Sequence, residues 1–379
     1  MSGVTVIAAA RIFDGHRMGG SADVVIQGGA IADGPAPAGA HRVDGAGATL
    51  MPGLIDTHAH VHTREQLAAM AEWGVTTVLD MGAPDLAATV ALRRLPGLPE
   101  LLTAGRPASG PGSTFITRMG HPASTGVTGP GDAARFVADR VADGSDYVKI
   151  IVEDPAFPGA KPLSAETVAA IVTAAHAAGL LTVAHVVSTR TLLGAVAAGV
   201  DVVTHTTLTS ALGAEGERLL ADHPVTIIPT LSMMKGVEQS IGRRLPVRVL
   251  SLAVPSLRMR YRHAEATVAA FRRAGRIVLA GTDANDNPLS PFQVPHGRAL
   301  HEELERLVHA GLTPVEALRS ATSSAAEVFG LTGRGTIATG QRADLVLVGG
   351  DPSRDITATR DIRGVWIAGT RIPDRAPPA

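Results

Sequence analysis

The chain contains no cysteine, which excludes disulfides, thiolate ligands and thiol nucleophiles together. Any metal must then be held by histidine, carboxylate or a modified lysine. Aromatic residues make up only 3% of the 379 residues, so no cage of stacked rings can be assigned to a ligand. A surplus of charge is missing too: the formal net charge of -1 gives no bulk electrostatic reason to bind nucleic acid or an anionic membrane. No uninterrupted apolar run reaches the roughly 18–20 residues of a membrane helix. The start, MSGVTVIAAARIFDGHRMGG, has no basic region ahead of an apolar core. No Gly-rich phosphate loop followed by Lys-Ser or Lys-Thr occurs. The basic runs RRLPVRVL and RMRYRH sit among apolar residues at helical spacing and lack aromatic partners for bases. A cytosolic protein acting on a small molecule is the simplest expectation.

What the chain does have is hydrophobic residues, 45% of the total, enough for one large domain and a smaller one. Through the middle, short β-rich runs alternate with Ala-rich helical stretches about eight times. The runs are GLIDTH, TTVLDM, ELLTAG, YVKIIV, LTVAHV, VVTHTT, TIIPTL and IVLAGTDA. Helical stretches such as SAETVAAIVTAAHAAG begin at Ser or Thr and end at Gly. The pattern predicts an α/β protein with a (β/α)₈ TIM barrel over residues 52–333; an open doubly wound sheet is the alternative. The two ends, residues 1–51 and 334–379, alternate apolar residues with Gly and Asp-Pro turns. They predict one small composite β-sandwich domain, with the final DRAPPA as a frayed tail.

Barrel active sites form at the carboxyl ends of the strands. In that position lie His58 and His60 on the first strand, Lys149 on the fourth, His185 on the fifth, His205 on the sixth and Asp283 after the eighth. Strand alternation points both imidazoles of HAH the same way, a chelating pair for an ion such as Zn²⁺. A lone histidine is more often a packing residue than a ligand; the shared placement of all six reads as a two-metal site. For Lys149 two readings stay open on the residues alone. Its ammonium could pair with an acid such as Glu153, or its neutral amine could add CO₂ and bridge two ions as a carbamate.

MPGLIDTHAHVH, DYVKI, LTVAHV, DVVTHTT, LAGTDA, GLTPVEALRSATSSAAEVFG and GTIATGQRADLVLV together resemble the amidohydrolase superfamily along nearly the whole chain. Within it the chain is most similar to the binuclear branch of metallocarboxypeptidases, prolidase-type dipeptidases and imidazolonepropionase-related amide hydrolases. The resemblance implies a carboxylated, bridging Lys149. It implies His58, His60 and Asp283 on one divalent ion, His185 and His205 on the other, and Asp283 as the proton carrier for attack of a hydroxide on an amide carbon. Zn²⁺, Mn²⁺ and Co²⁺ suit such ligands, and the relatives are commonly homo-oligomers. A lactone, ester or cyclic amide could replace the amide. In mononuclear deaminase or dechlorinase branches an acid follows the third histidine where this chain has Ser188, which argues against that alternative; a non-catalytic scaffold would not need all the ligands.

In that branch a Gly-Gly-His loop contacts the substrate carbonyl or carboxylate; the match here is Met-Gly-His, giving His121 as a partial match. Arg118 could pair with a substrate carboxylate. Met233, Met234, Asn285 and Asn287 are expected pocket linings, and His296 could approach the substrate from the loop after the eighth strand. His62 is expected to support or pack. His301 and His309, in the charged stretch PHGRALHEELERLVHAG, are expected on a solvated face. An N-acyl amino acid or an Xaa-Pro-like dipeptide fits these linings.

Overall fold

The computed structural model describes residues 3–157, 159–243 and 258–373. DRAPPA and, beyond the helical backbone of Arg243, the run RRLPVRVL lie outside them. Among the described residues no helix is long and apolar enough to cross a membrane.

Both ends of the chain enter one hydrogen-bonded sheet. Five strands come from the amino-terminal side: β1 (Thr5–Phe13), β2 (Met18–Gln27), β3 (Ala30–Ala32), β4 (His41–Asp44) and β5 (Ala48–Pro52). Three come from the other: β13 (Leu345–Gly349), β14 (Ile362–Ile367) and β15 (Thr370–Arg371). The order is β15-β14-β13-β5-β1-β2-β3, with β4 also on β1. The seam is antiparallel, running from Leu345 opposite Pro52 to Gly349 opposite Ala48. Ile7, Ile26, Leu50, Leu345, Leu347 and Trp366 pack into one core, so apolar residues over 300 positions apart bury each other.

The middle of the chain forms two parallel sheets. One holds β6 (Leu54–Ala59), β7 (Val75–Asp80) and β8 (Glu100–Thr103). The other holds β9 (Val148–Ile151), β10 (Thr182–His185), β11 (Val202–Thr204) and β12 (Thr226–Ile228). Near-continuous burial along these strands fits sheets covered by helices. At one junction Asp146 N donates to Thr103 O at 2.9 Å and Ala108 N to Lys149 O at 2.8 Å. At the other, Leu279 N donates to Ile227 O at 2.8 Å, and Thr57 N to Ala280 O at 3.1 Å. Residues 277–284 therefore bond to both β12 and β6. One core cluster collects a side chain from each of the eight runs, from Ile55 through Val183 to Leu279.

The run IVLAGTDA, expected as the eighth strand, makes only isolated bridges. Its ladder is diverted by a side chain. The buried Asp56 carboxylate accepts from His58 N at 3.2 Å and Thr282 N at 3.1 Å, and from Thr282 Oγ1 at 2.7 Å. Asp283 then turns into the left-handed region at φ 58°. Gly281 permits the crossing: a Cβ there would sit 2.4 Å from Ile228 Cγ2 and 2.9 Å from His58 N.

The stretch 296–309 differs from expectation as well. His309 is exposed, but His301 is fully buried, bonded to Thr359 Oγ1 and Trp73 O at 3.0 Å each. Glu303 is fully buried too, accepting from Leu231 N at 2.7 Å and Ser232 N at 2.8 Å. It thereby satisfies the first donors of the Leu231–Arg243 helix, where the helix dipole favours a negative charge.

Two predictions follow from these contacts. Gly281→Ala should cost roughly 1–3 kcal/mol by overpacking against β6 and β12, measured by urea denaturation; unchanged stability would contradict the close crossing. Burial pushes the Glu303 carboxyl up from 4.5 to about 7. Its contribution is thus complete below its unfolded value and lost as pH rises through about 7. Wild type should lose stability relative to Glu303→Gln across that window, whereas parallel pH profiles would contradict the assignment.

Candidate metal centre and cavity

His58, next to last in β6, is fully buried, and its Nδ1 is hydrogen-bonded to Thr204 Oγ1. Its Nε2 is buried without a hydrogen-bond partner, 3.3 Å from Asp283 Oδ1. His60 Nε2 stands 3.2 Å from the same oxygen. The two imidazoles thus converge as the His-x-His spacing predicts, and with Asp283 they offer three ligand atoms within 4.8 Å of one another. An orphaned buried nitrogen facing a carboxylate across such a gap fits a divalent cation.

The second pair lies alongside. The rings of His185 and His205 are 4.5 Å apart, and those of His205 and His58 4.9 Å. His205 Nδ1 bonds Thr230 Oγ1 at 2.8 Å, which leaves Nε2 for a ligand and fixes the ring, a common arrangement for metal-binding histidines. His205, Thr230 and Asp283 all hold left-handed backbone, at φ 62°, 45° and 58°. Three such non-glycine residues at the ends of consecutive runs store strain where side chains are aimed.

Electrostatics suits metal binding. Burial, reinforced by Lys149, lowers His58 and His185 to about 3, and burial with His185 holds His205 well below its ordinary value. These rings are therefore neutral at pH 7, as ligation requires. His60 differs: burial opposes its charge, but the Asp283 bond and charge outweigh burial and raise it. Burial would raise Asp283, yet His58 and His205 hold it well below the carboxylate range. Lys149 is 2% exposed, and burial brings its amine down to about 7, against the pull of Asp283 and Asp80. Glu153, the acid that could have paired with it, accepts instead from Lys161 N at 2.8 Å.

A cavity of about 620 Å³ opens over this cluster and is lined by all six residues. One wall carries Thr114, Phe115, Arg118, Met119 and His121, with the Phe115 ring edge-on to His185 at 5.6 Å. His121 is 9% exposed, its Nδ1 has no hydrogen-bond partner, and burial with the neighbouring His60 lowers it to about 4. Other walls carry Met233, Met234, Val237 and Met259, then Asn285 and Asn287. Asn285 Nδ2 donates to Asp283 O at 2.8 Å. His62 is exposed and reaches the lining. His296 does not: its Nε2 is 2.9 Å from His60 O, so it braces the backbone of a candidate ligand instead of facing the cavity.

The sequence reading missed Asp56, Asp80, Thr204 and Thr230. Asp80 is buried on β7, accepting from Thr103 Oγ1 at 2.6 Å. Each sits at or beside the end of an apolar run, and that polar residue in a buried strand was the available signal.

Comparison with known proteins agrees with this geometry. The model of the Amidohydrolase family matches residues 49–372. A protein of Mycobacterium tuberculosis with no described activity is 30% identical over 323 residues, 81% of this chain and 80% of its own length. The imidazolonepropionase of Deinococcus radiodurans is 25% identical over 375 residues, 89% of this chain and 87% of its own. In fold, the chain is similar to a Xaa-Pro dipeptidase with methionine bound in its active site, at TM-score 0.80 and 24% identity over 97% of this chain and 99% of that one. Phenylurea hydrolase B is also similar, at TM-score 0.76 and 22% identity over 98% and 97%. With a match from β5 to β15 and the histidines gathered as described, this chain belongs to the amidohydrolase family.

Proposed function

We propose that this chain hydrolyses the amide C–N bond of a small N-acyl amino acid or dipeptide at a two-metal centre. The observation that carries the reading is the packing of two histidine pairs around Asp283 and a buried lysine whose charge reaches all four rings. His58, His60 and Asp283 would hold one divalent ion, His185 and His205 a second, zinc being suited to both sets. Lys149, as the carbamate formed with CO₂, would bridge them; its lowered basicity favours the neutral amine that CO₂ addition needs. When bound, such a pair of ions supplies a nucleophilic hydroxide at neutral pH and polarises the acyl oxygen.

The remaining roles belong to the chain. Asp283 stays ionised and is held from behind by Asn285, so its carboxylate can accept the proton released on attack and return it to the departing nitrogen. His121, kept neutral by burial, can hydrogen-bond the acyl oxygen through Nδ1. Met233, Met234, Val237 and Met259 would give the developing charge an apolar flank. The scaffold we infer for this chemistry is a closed (β/α)₈ barrel over residues 52–333, supported by the hydrogen bonds of residues 277–284 to β12 and β6. Residues 1–51 and 334–379 would form the composite domain, supported by the β5–β13 seam.

A mononuclear deaminase is less well supported. Ser188 stands where those branches carry an acid, and its Oγ caps the Thr189–Ala197 helix through Thr191 N at 3.2 Å.

The test is metal content with amide hydrolysis, for wild type and Lys149→Ala supplied with zinc and bicarbonate. About two ions per chain should fall to one or fewer in the variant, with hydrolysis of acyl amino acids lost. One ion in both proteins would overturn the two-metal reading.

A further inference from the structure

Resting on the amide-hydrolase reading, we propose that the substrate is an N-blocked amino acid, an acyl group on an apolar residue with a free carboxylate, and that dipeptides bearing a free α-ammonium are selected against. What the cavity lacks is a counter-charge for an ammonium. Among the described residues, Asp283 is the only carboxylate lining the cavity, and it faces His58, His60 and His205. The acids adjoining the lining are committed elsewhere. Glu153 accepts from Lys161 N at 2.8 Å, and Asp286 from Gln66 Nε2 at 2.7 Å. Glu238 accepts from Tyr261 N at 2.9 Å and pairs with Lys235 Nζ at 3.5 Å, and Asp80 is buried against Thr103. An α-ammonium brought in on the acyl side would be desolvated beside Met233, Met234 and Met259 with no anion to meet it. A methyl or longer acyl chain at that place meets flexible thioethers that adapt to its shape.

The opposite charge is provided for. Arg118 lines the cavity from the wall of Phe115 and Met119, and among the described residues it forms no ion pair. Its planar fork can take a carboxylate through two hydrogen bonds. In the proposed barrel the wall after β8 and the wall after β12 follow the third and seventh strands and stand on opposite sides of the axis. A substrate spanning them would point its carboxylate at Arg118 and its acyl chain at the methionines.

N-acetyl-L-leucine and glycyl-L-leucine separate the two possibilities, since they differ by one ammonium group. N-acetyl-L-leucinamide removes the carboxylate instead. Affinity for the zinc-loaded protein is read at about pH 6.5, where the ammonium is charged, as KM for a compound from which leucine is released and by titration calorimetry for one from which it is not. Glycyl-L-leucine should bind at least about tenfold more weakly than N-acetyl-L-leucine. N-acetyl-L-leucinamide should lose about fivefold, and Arg118→Gln should lose the same for the acid and nothing further for the amide. Equal or tighter binding of glycyl-L-leucine, or no binding of the acetyl compound, would overturn the proposal. Leucine release is followed separately. Preferred binding without any hydrolysis would sink the amide-hydrolase reading alone, and hydrolysis favouring glycyl-L-leucine would sink the selectivity alone.

Discussion

Three of the candidate ligands, His58, His60 and Asp283, depend on the close passage of residues 280–284 across the end of β6. His58 O accepts from both Thr282 N and Asp283 N, at 3.0 and 2.8 Å, and Ala284 O takes His60 N at 2.8 Å. Those bonds lock the segment carrying Asp283 onto the strand carrying His58 and His60. Asp56 ties the same two backbones from beneath through three hydrogen bonds. A buried carboxylate costs free energy unless its oxygens are satisfied, and here satisfying them brings two halves of the candidate ligand set into register. Asp283 can then adopt left-handed backbone, because its surroundings over-determine it.

From that clasp the rest of the site is built outward by paired threonines. Thr204 at the end of β11 orients His58, while Thr230, just past β12, orients His205. Thr230 also stands directly before the helix whose first donors Glu303 receives, so the helix bearing Met233 and Met234 and the ring of His205 share one anchor. The histidine floor and the apolar wall are consequently fixed relative to each other, as the proposed selection among acyl groups would need.

Much of this was legible in the chain itself. The alternation of β-rich and helical runs foretold parallel strands, and LIDTHAHVH foretold two imidazoles converging from one segment, because strand periodicity alone decides which way a side chain points. The Gly and Asp-Pro turns at both ends foretold β structure, and the seam between β5 and β13 joins those ends in one sheet. What could not be read depended on partners far away in sequence. His301 and Glu303 sit in a run of charges that looks solvated, yet His301 bonds residues 58 and 228 positions away and Glu303 reaches back 72 and 71. The eighth run departs from a regular strand because Asp56 claims His58 N and shares Thr282 N with His58 O, which nothing local in the sequence announces. His296 was placed toward the substrate by its loop position, whereas its bond to His60 O turns it onto the backbone.

The proposed Lys149 bridge is the central claim, and diffraction tests it most directly. Crystals grown with zinc and bicarbonate would be measured at the zinc absorption edge. Two anomalous peaks about 3.5–4 Å apart are expected, one by His58, His60 and Asp283 and one by His185 and His205, with electron density running from Lys149 Nζ to both. A single peak beside an unmodified lysine side chain would contradict the two-metal account.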